Sequence, residues 1–176
     1  FFATGTYARG EVHQTLSPAM DIQVASNFER FLYYHFEQDS DRLVRFMQEF
    51  AANGAASIGA PPDTQLMSSV AVNRKDTLAA MHEVNRQYGY VLDPHTAVGY
   101  HAARYHLDQQ VASTDVVVVA TAHPAKFPDA VQQATGGEPT HPTLEALKGL
   151  PMRRHALPCD IDAVKAYLVE QLHSQP

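Results

Sequence analysis

Two short polar segments carry the residue types that could do chemistry. Asp93-Pro94-His95-Thr96 offers a carboxylate, an imidazole and a hydroxyl, and Thr121-Ala122-His123 offers a hydroxyl and an imidazole. Each segment directly follows an apolar run that is typical of a strand. Ligands of open α/β sheets bind outside the carboxyl ends of the strands. If the two strands are neighbours, these side chains converge on one crevice.

A less specific interpretation applies to each residue taken singly. Asp93 and His123 stand where helix caps are expected, and Thr121 could satisfy a nearby backbone group. Even in that case the two segments together would form the edge of a pocket.

The surrounding pattern predicts an α/β protein with a parallel sheet. Four consecutive valines at 116–119 indicate a central strand over 115–121, buried on both faces. Strand, polar turn and helix then alternate, as in βαβ units. Further strands are predicted at 21–25, 67–72, 90–92 and 152–157. Helices are predicted at 27–34, 40–53, 76–88, 97–107, 124–135 and 161–172.

Composition excludes several classes of protein. With 176 residues, 45% hydrophobic and 18% charged, the chain suits one soluble globular domain. A net charge of −6 gives no electrostatic basis for binding nucleic acid or an anionic membrane. No apolar run approaches the ~18 residues of a membrane span. The single Cys159 excludes an internal disulfide, and a cytoplasmic location is the default expectation.

The familiar catalytic and metal motifs fail in this chain. His82-Glu83 would begin a zincin motif, but Arg86 stands where the second histidine is needed. His95, His101 and His106 are spaced six and five apart, so they do not share a helical face. No serine-hydrolase elbow, dinucleotide fingerprint or Walker A sequence is present. We therefore expect no metal site.

Three longer blocks resemble one family. The segments 15–30, 93–99 and 120–127 contain TLSPAMDIQ with SNFER, DPHTAVG and ATAHPAKF, in that order. Together they resemble threonine synthase, in the branch found in many bacteria and in yeast. The resemblance implies a pyridoxal-phosphate (PLP) lyase of fold type II, with a tryptophan synthase β-like, three-layer parallel sheet. It also implies conversion of the substrate O-phosphohomoserine, with water, to threonine and phosphate.

The resemblance assigns site residues at two positions. Thr121 matches the family position whose hydroxyl faces the pyridine nitrogen of PLP, and Asp93 resembles an acidic position near the ring. Asn27 and Arg30 could orient a phosphate or carboxylate. The simpler expectation for Arg30 is that it pairs with Glu29 or with a helix neighbour.

The family's Schiff-base lysine and Gly/Asn-rich phosphate loop have no counterpart here. The four lysines, Lys75, Lys126, Lys148 and Lys165, stand in other contexts, and the chain begins at Phe1 without a methionine. Residues 1–176 are therefore expected to be the C-terminal part of such an enzyme. That part would be inactive alone and would be completed by an N-terminal part carrying the lysine. The alternative is a non-catalytic α/β binding or interaction module on the same scaffold.

Overall fold

The computed structural model describes residues 1–63, 67–109, 115–152 and 154–173. The chain divides into two units, Phe1–Thr140 and His141–Pro176. Within the described residues, no helix is both long enough and apolar enough to cross a membrane.

The described residues of the first unit form five α-helices. They are α1 (Phe28–His35), α2 (Ser40–Asn53), α3 (Arg74–Tyr88), α4 (Pro94–Asp108) and α5 (Pro128–Thr135).

Polar side chains cap the starts of three of these helices. Asp39, Asn73 and Asp93 accept backbone N–H groups at the starts of α2, α3 and α4. Asp76 and Thr77 are also residue types that can cap a helix, but α3 is capped by Asn73, whose side-chain oxygen accepts from the N–H of Asp76 at 3.0 Å.

The helix expected over 124–135 is divided in two. A single 3₁₀ turn runs from Pro124 to Lys126, and α5 begins at Pro128. Pro128 lacks an N–H group and disfavours helical geometry at Phe127, which has φ −132° and ψ 56°. Lys126 and Phe127 therefore lie where the chain changes direction between the 3₁₀ turn and α5, and not on one face of a continuous helix.

The only regular sheet among the described residues is a short antiparallel pair. Strand β1 (Thr6–Ala8) pairs with β2 (Ala55–Ser57), with Tyr7 opposite Ala56. Sequence analysis missed this pair because both strands are three residues long and lie in segments rich in small residues.

The predicted parallel strands are not formed by the described residues. Segments 67–72, 90–92 and 115–121 carry no strand pairing, and neither does 21–25. The prediction at 152–157 includes residue 153, which lies outside the described residues, and its other residues form no strand.

The valine run shows why the described residues do not form the predicted sheet. A strand is stabilised by a neighbour that supplies hydrogen bonds, and the described residues provide none for 115–121. Val118 lies against Gly99 of α4, but Val117 is 87% exposed and Val119 70% exposed. The expected burial on both faces is therefore absent.

Two hydrophobic clusters support the first unit. One joins α3, α4 and α5 and lies directly beneath the polar segments. Its buried members are Ala80, Met81, Val84, Leu92, Ala97, Ala130, Val131 and Ala134. The other joins α1, α2 and β2, with Leu32, Phe36, Phe46, Phe50 and Ala56 buried. Burial of this apolar area is the main stabilising contribution of each cluster.

The second unit contains α6 (Pro142–Leu147) and α7 (Ile161–His173). Asp160 caps α7 by accepting from the N–H of Ala163 at 2.8 Å. The proline-rich segment 138–158 contains α6.

Candidate functional site: a cavity beside Thr121

Asp93 is the centre of the polar cluster, and its side chain is almost completely buried. Its Oδ1 accepts from the backbone N–H of His95 at 2.9 Å and of Thr96 at 3.3 Å. The same oxygen lies 3.2 Å from Nδ1 of His95, and Oδ2 accepts from the hydroxyl of Thr96. Both carboxylate oxygens are therefore engaged within the first turn of α4, which confirms Asp93 as a helix cap.

His95 connects this cap to a distant part of the chain. Its Nε2 accepts a hydrogen bond from the backbone N–H of Ala19 at 3.3 Å. Ala19 belongs to a 3₁₀ turn over Pro18–Met20. The His95 ring also packs against Phe127, with centroids 4.8 Å apart. Three separate chain segments therefore meet at His95.

The second polar segment meets the first through Thr96. Its hydroxyl, while donating to Asp93, accepts from the backbone N–H of Thr121 at 3.3 Å. The two polar segments therefore converge, although they meet through this hydrogen bond and not through neighbouring strands. The Thr121 hydroxyl makes no hydrogen bond with any other described residue, and Thr121 is exposed. Its side chain is available to a ligand.

Beside these contacts lies a partly open cavity of about 200 Å³, which we call the Thr121 cavity. Its lining residues are Pro18, Ala19, His95, Thr121, Ala122, Lys126 and Phe127. The lining includes small residues, a hydroxyl and an imidazole, and no carboxylate belongs to it. Lys126 contributes the only positive charge among the lining residues.

The turn that carries Ala19 is held at its far end by Asp21. Thr15 donates to Asp21 through its hydroxyl at 2.6 Å and its N–H at 2.8 Å. These hydrogen bonds lower the pKa of Asp21 below its usual value because they stabilise the charged form, and the bond from the hydroxyl contributes most. The N–H groups of Met20 and Asp21 close the turn onto the carbonyls of Ser17 and Pro18.

Other sequence-based expectations have different outcomes. His123 caps the 3₁₀ turn over Pro124–Lys126, accepting from the N–H of Ala125 at 3.1 Å, and does not line the cavity. The expected pairing of Arg30 with Glu29 is not formed; both side chains are exposed, and Arg30 has no ion pair with a described residue. Asn27 stands at the start of α1 without capping it.

Sequence reasoning did not identify Lys126 or the contact between His95 and Ala19. The contact joins residues 76 positions apart, so no local pattern reports it. Lys126 is brought to the cavity by the break at Pro128. The proline is visible in the sequence, but the predicted helix over 124–135 runs through it.

Another cavity in the first unit has no charged side chain in its lining. It is larger, at about 350 Å³, and lies between residues 68–70 and the C-terminal half of α4. It includes His106, but no carboxylate or cation that would fix a polar ligand lines it. Among the residues that the structure describes, no group of three or more His, Cys, Asp or Glu side chains could hold a metal ion.

Comparisons with known proteins point to one family. Residues 96–168 match the family model described as threonine synthase, C-terminal. The threonine synthase of Methylobacillus glycogenes is 36% identical over 98% of this chain and 38% of its own length. The chain thus spans well under half the length of this relative.

Solved structures give the same result. PLP-bound threonine synthase from Brucella melitensis superposes with a TM-score of 0.81 at 36% identity, covering 98% of this chain and 37% of that one. Threonine synthase from yeast superposes with a TM-score of 0.83 at 29% identity, covering 99% of this chain and 40% of that one.

Proposed function

The chain belongs to the threonine synthase family, whose C-terminal part it matches, and on this premise we propose that it serves the PLP-dependent conversion of O-phosphohomoserine and water to threonine and phosphate. The observation that carries the proposal is the Thr121 cavity, where segments 93–99 and 120–127, which both resemble the family, meet.

The lining of the cavity suits the pyridine edge of PLP. Pro18, Ala19 and Ala122 are among the lining residues, and their small side chains leave room for a flat ring. The hydroxyl of Thr121, without a partner among the described residues, can donate to a neutral ring nitrogen. A carboxylate would instead favour the protonated nitrogen, and none lines the cavity. The donor set therefore fits the group.

Thr121 is proposed to orient the cofactor and to limit its strength as an electron sink. When bound, PLP supplies an electron sink, and the protein tunes that sink through the partner of the ring nitrogen. A hydroxyl donates without transferring a full positive charge to the ring. Such moderation suits a reaction that must direct elimination and water addition away from competing outcomes.

Asp93 is proposed to serve the cofactor from behind the cavity lining. Both of its oxygens are occupied by His95 and Thr96, so its influence on the ring passes through these neighbours. The hydroxyl of Thr96 in turn receives the main chain of Thr121. Asp93 thereby sets the backbone on which the cofactor's hydroxyl partner stands.

The remaining parts of the site are proposed to lie in the portion of the enzyme that this chain does not span. That portion would supply the lysine that binds PLP covalently and the loop that binds its phosphate. It would also supply neighbouring strands for 115–121, giving the parallel, three-layer sheet of fold type II. This part of the proposal is supported by the valine run, which pairs with no described residue and in which Val117 and Val119 are mostly exposed. A cytoplasmic location is proposed with it.

Two measurements test the proposal. A full-length protein containing this chain should release phosphate and form threonine from O-phosphohomoserine in equal amounts. The isolated 176 residues should neither do so nor bind PLP covalently. Absence of threonine from the full-length protein, with PLP bound, would contradict the proposed activity and would favour a non-catalytic binding module.

A further inference from the structure

We propose that His95 is a positioning residue that sets the width of the Thr121 cavity by fixing the turn at Pro18–Met20. The inference rests on the proposed function. It adds a role for His95, which does not itself pair with the cofactor as Thr121 is proposed to do. It follows from the hydrogen bonds on the two ring nitrogens of His95.

The tautomer of His95 follows from its partners. The backbone N–H of Ala19 can only donate, so Nε2 of His95 must present its lone pair. In the neutral imidazole the hydrogen is then on Nδ1, which lies 3.2 Å from Oδ1 of Asp93. Asp93 therefore holds the imidazole in the form that accepts from Ala19, as a carboxylate commonly orients a histidine.

The ring is also held in place by packing. His95 is only 6% exposed, and its ring contacts Phe127 at a centroid distance of 4.8 Å. The backbone to which it belongs is the capped first turn of α4. With the ring restrained by Asp93 and Phe127, the position of Nε2 determines where the N–H of Ala19 can lie.

The middle of this turn is exposed, so His95 is an important restraint on it. Pro18 and Ala19 line the cavity, yet both are exposed rather than buried in a core. Asp21 holds the end of the turn through Thr15, while His95 holds its middle. Without His95, the part of the lining formed by Pro18 and Ala19 would be fixed less firmly, and a ligand in the cavity would be bound more weakly.

Three substitutions in the full-length protein separate the two nitrogens. His95→Gln keeps an acceptor at about the position of Nε2, whereas His95→Asn keeps a donor near Nδ1 but cannot reach Ala19. His95→Phe keeps the ring but neither nitrogen. His82→Asn is the matched control, because His82 is exposed on α3 and contacts the carbonyl of Ala134 instead.

The first readout is backbone hydrogen exchange in the peptide containing Ala19, measured on the apoprotein. We expect exchange about tenfold faster in His95→Asn and His95→Phe, and within about threefold of wild type in His95→Gln and His82→Asn. Unchanged exchange in His95→Asn and His95→Phe would overturn the inference.

The second readout is the dissociation constant of PLP, with its absorbance spectrum. We expect it to rise about tenfold in His95→Asn and His95→Phe, with rescue in His95→Gln. Faster exchange with unchanged PLP affinity would also overturn the inference, because the position of the turn would then not affect PLP binding. Since neither readout requires turnover, a wild-type protein that binds PLP but makes no threonine would contradict the proposed function and leave this test intact.

Discussion

The backbone N–H of Thr121 donates to Oγ1 of Thr96 at 3.3 Å, across 25 residues of sequence. Thr121 is therefore held by its main chain, and its hydroxyl is left for a ligand. Thr96 can do this because its own hydrogen is directed to Asp93. The arrangement separates the group that fixes the position of Thr121 from the group that would meet the cofactor.

Removing the Thr121 hydroxyl should weaken the cofactor site without unfolding the protein. In the full-length protein, Thr121→Val keeps the shape and the main-chain bond to Thr96. If Thr121 pairs with the cofactor as proposed, the loss of one hydrogen bond should raise the dissociation constant of PLP about tenfold. Titration of the apoprotein with PLP measures the change, and Thr121→Ser, which restores a hydroxyl, is the control. Equal affinity in Thr121→Val and wild type would remove Thr121 from the site.

Truncating Asp93 should destabilise the protein more than truncating an ordinary cap. Asp93→Ala leaves two backbone N–H groups, the Thr96 hydroxyl and the His95 ring without their acceptor in a buried place. We expect a loss of about 3 kcal/mol in the free energy of unfolding. Asp39→Ala removes the exposed cap of α2, which accepts only from Arg42, and should cost about 1 kcal/mol. Urea denaturation compares them, and similar losses would contradict the central role of Asp93.

Asp21 should make stability depend on acid pH. Hydrogen bonds from Thr15 lower its pKa in the folded state below the unfolded value near 3.8. The stabilisation is therefore fully present above that unfolded value and disappears as the pH falls through the folded pKa. Thermal unfolding of wild type and Asp21→Asn should differ at pH 6, and the difference should shrink towards pH 3. A difference independent of pH would show that the charge of Asp21 is not what matters.

Gly5 and Gly54 should respond differently to the same substitution. Both have positive φ, 73° and 72°, but a methyl group at Gly5 would overlap the carbonyl of Ala60, whereas nothing lies within 4 Å at Gly54. Gly54→Ala should cost about 1 kcal/mol for its left-handed backbone. Gly5→Ala should cost about 3 kcal/mol, because overpacking is added. Chemical denaturation measures both, and equal costs would contradict the close approach at Ala60.

The elements that sequence analysis located correctly are those governed by local chemistry. Helix α2 was predicted over its observed range because Leu43, Phe46, Met47 and Phe50 share one face and Gly54 can adopt the left-handed ending. Asp93 was recognisable as a cap for the same reason. In each case the decisive contacts lie within about four residues.

The elements that it mislocated depend on distant partners. The valine run has the composition of a buried strand, but a strand forms only where another segment pairs with it. The contact of His95 with Ala19 likewise depends on how α4 meets a turn far away in sequence. The convergence of the two polar segments was predictable only as a conditional statement, and it is confirmed through Thr96 rather than through a shared sheet.

The uncovered valine segment has a consequence for producing these 176 residues by themselves. Its main-chain groups lack a strand partner and several of its valines are exposed. Another extended polypeptide, including a second copy of the same molecule, can therefore bind to it. Recovery should therefore fall as the concentration during refolding rises. We expect dilution, or co-expression of the N-terminal part proposed above, to keep the product in solution.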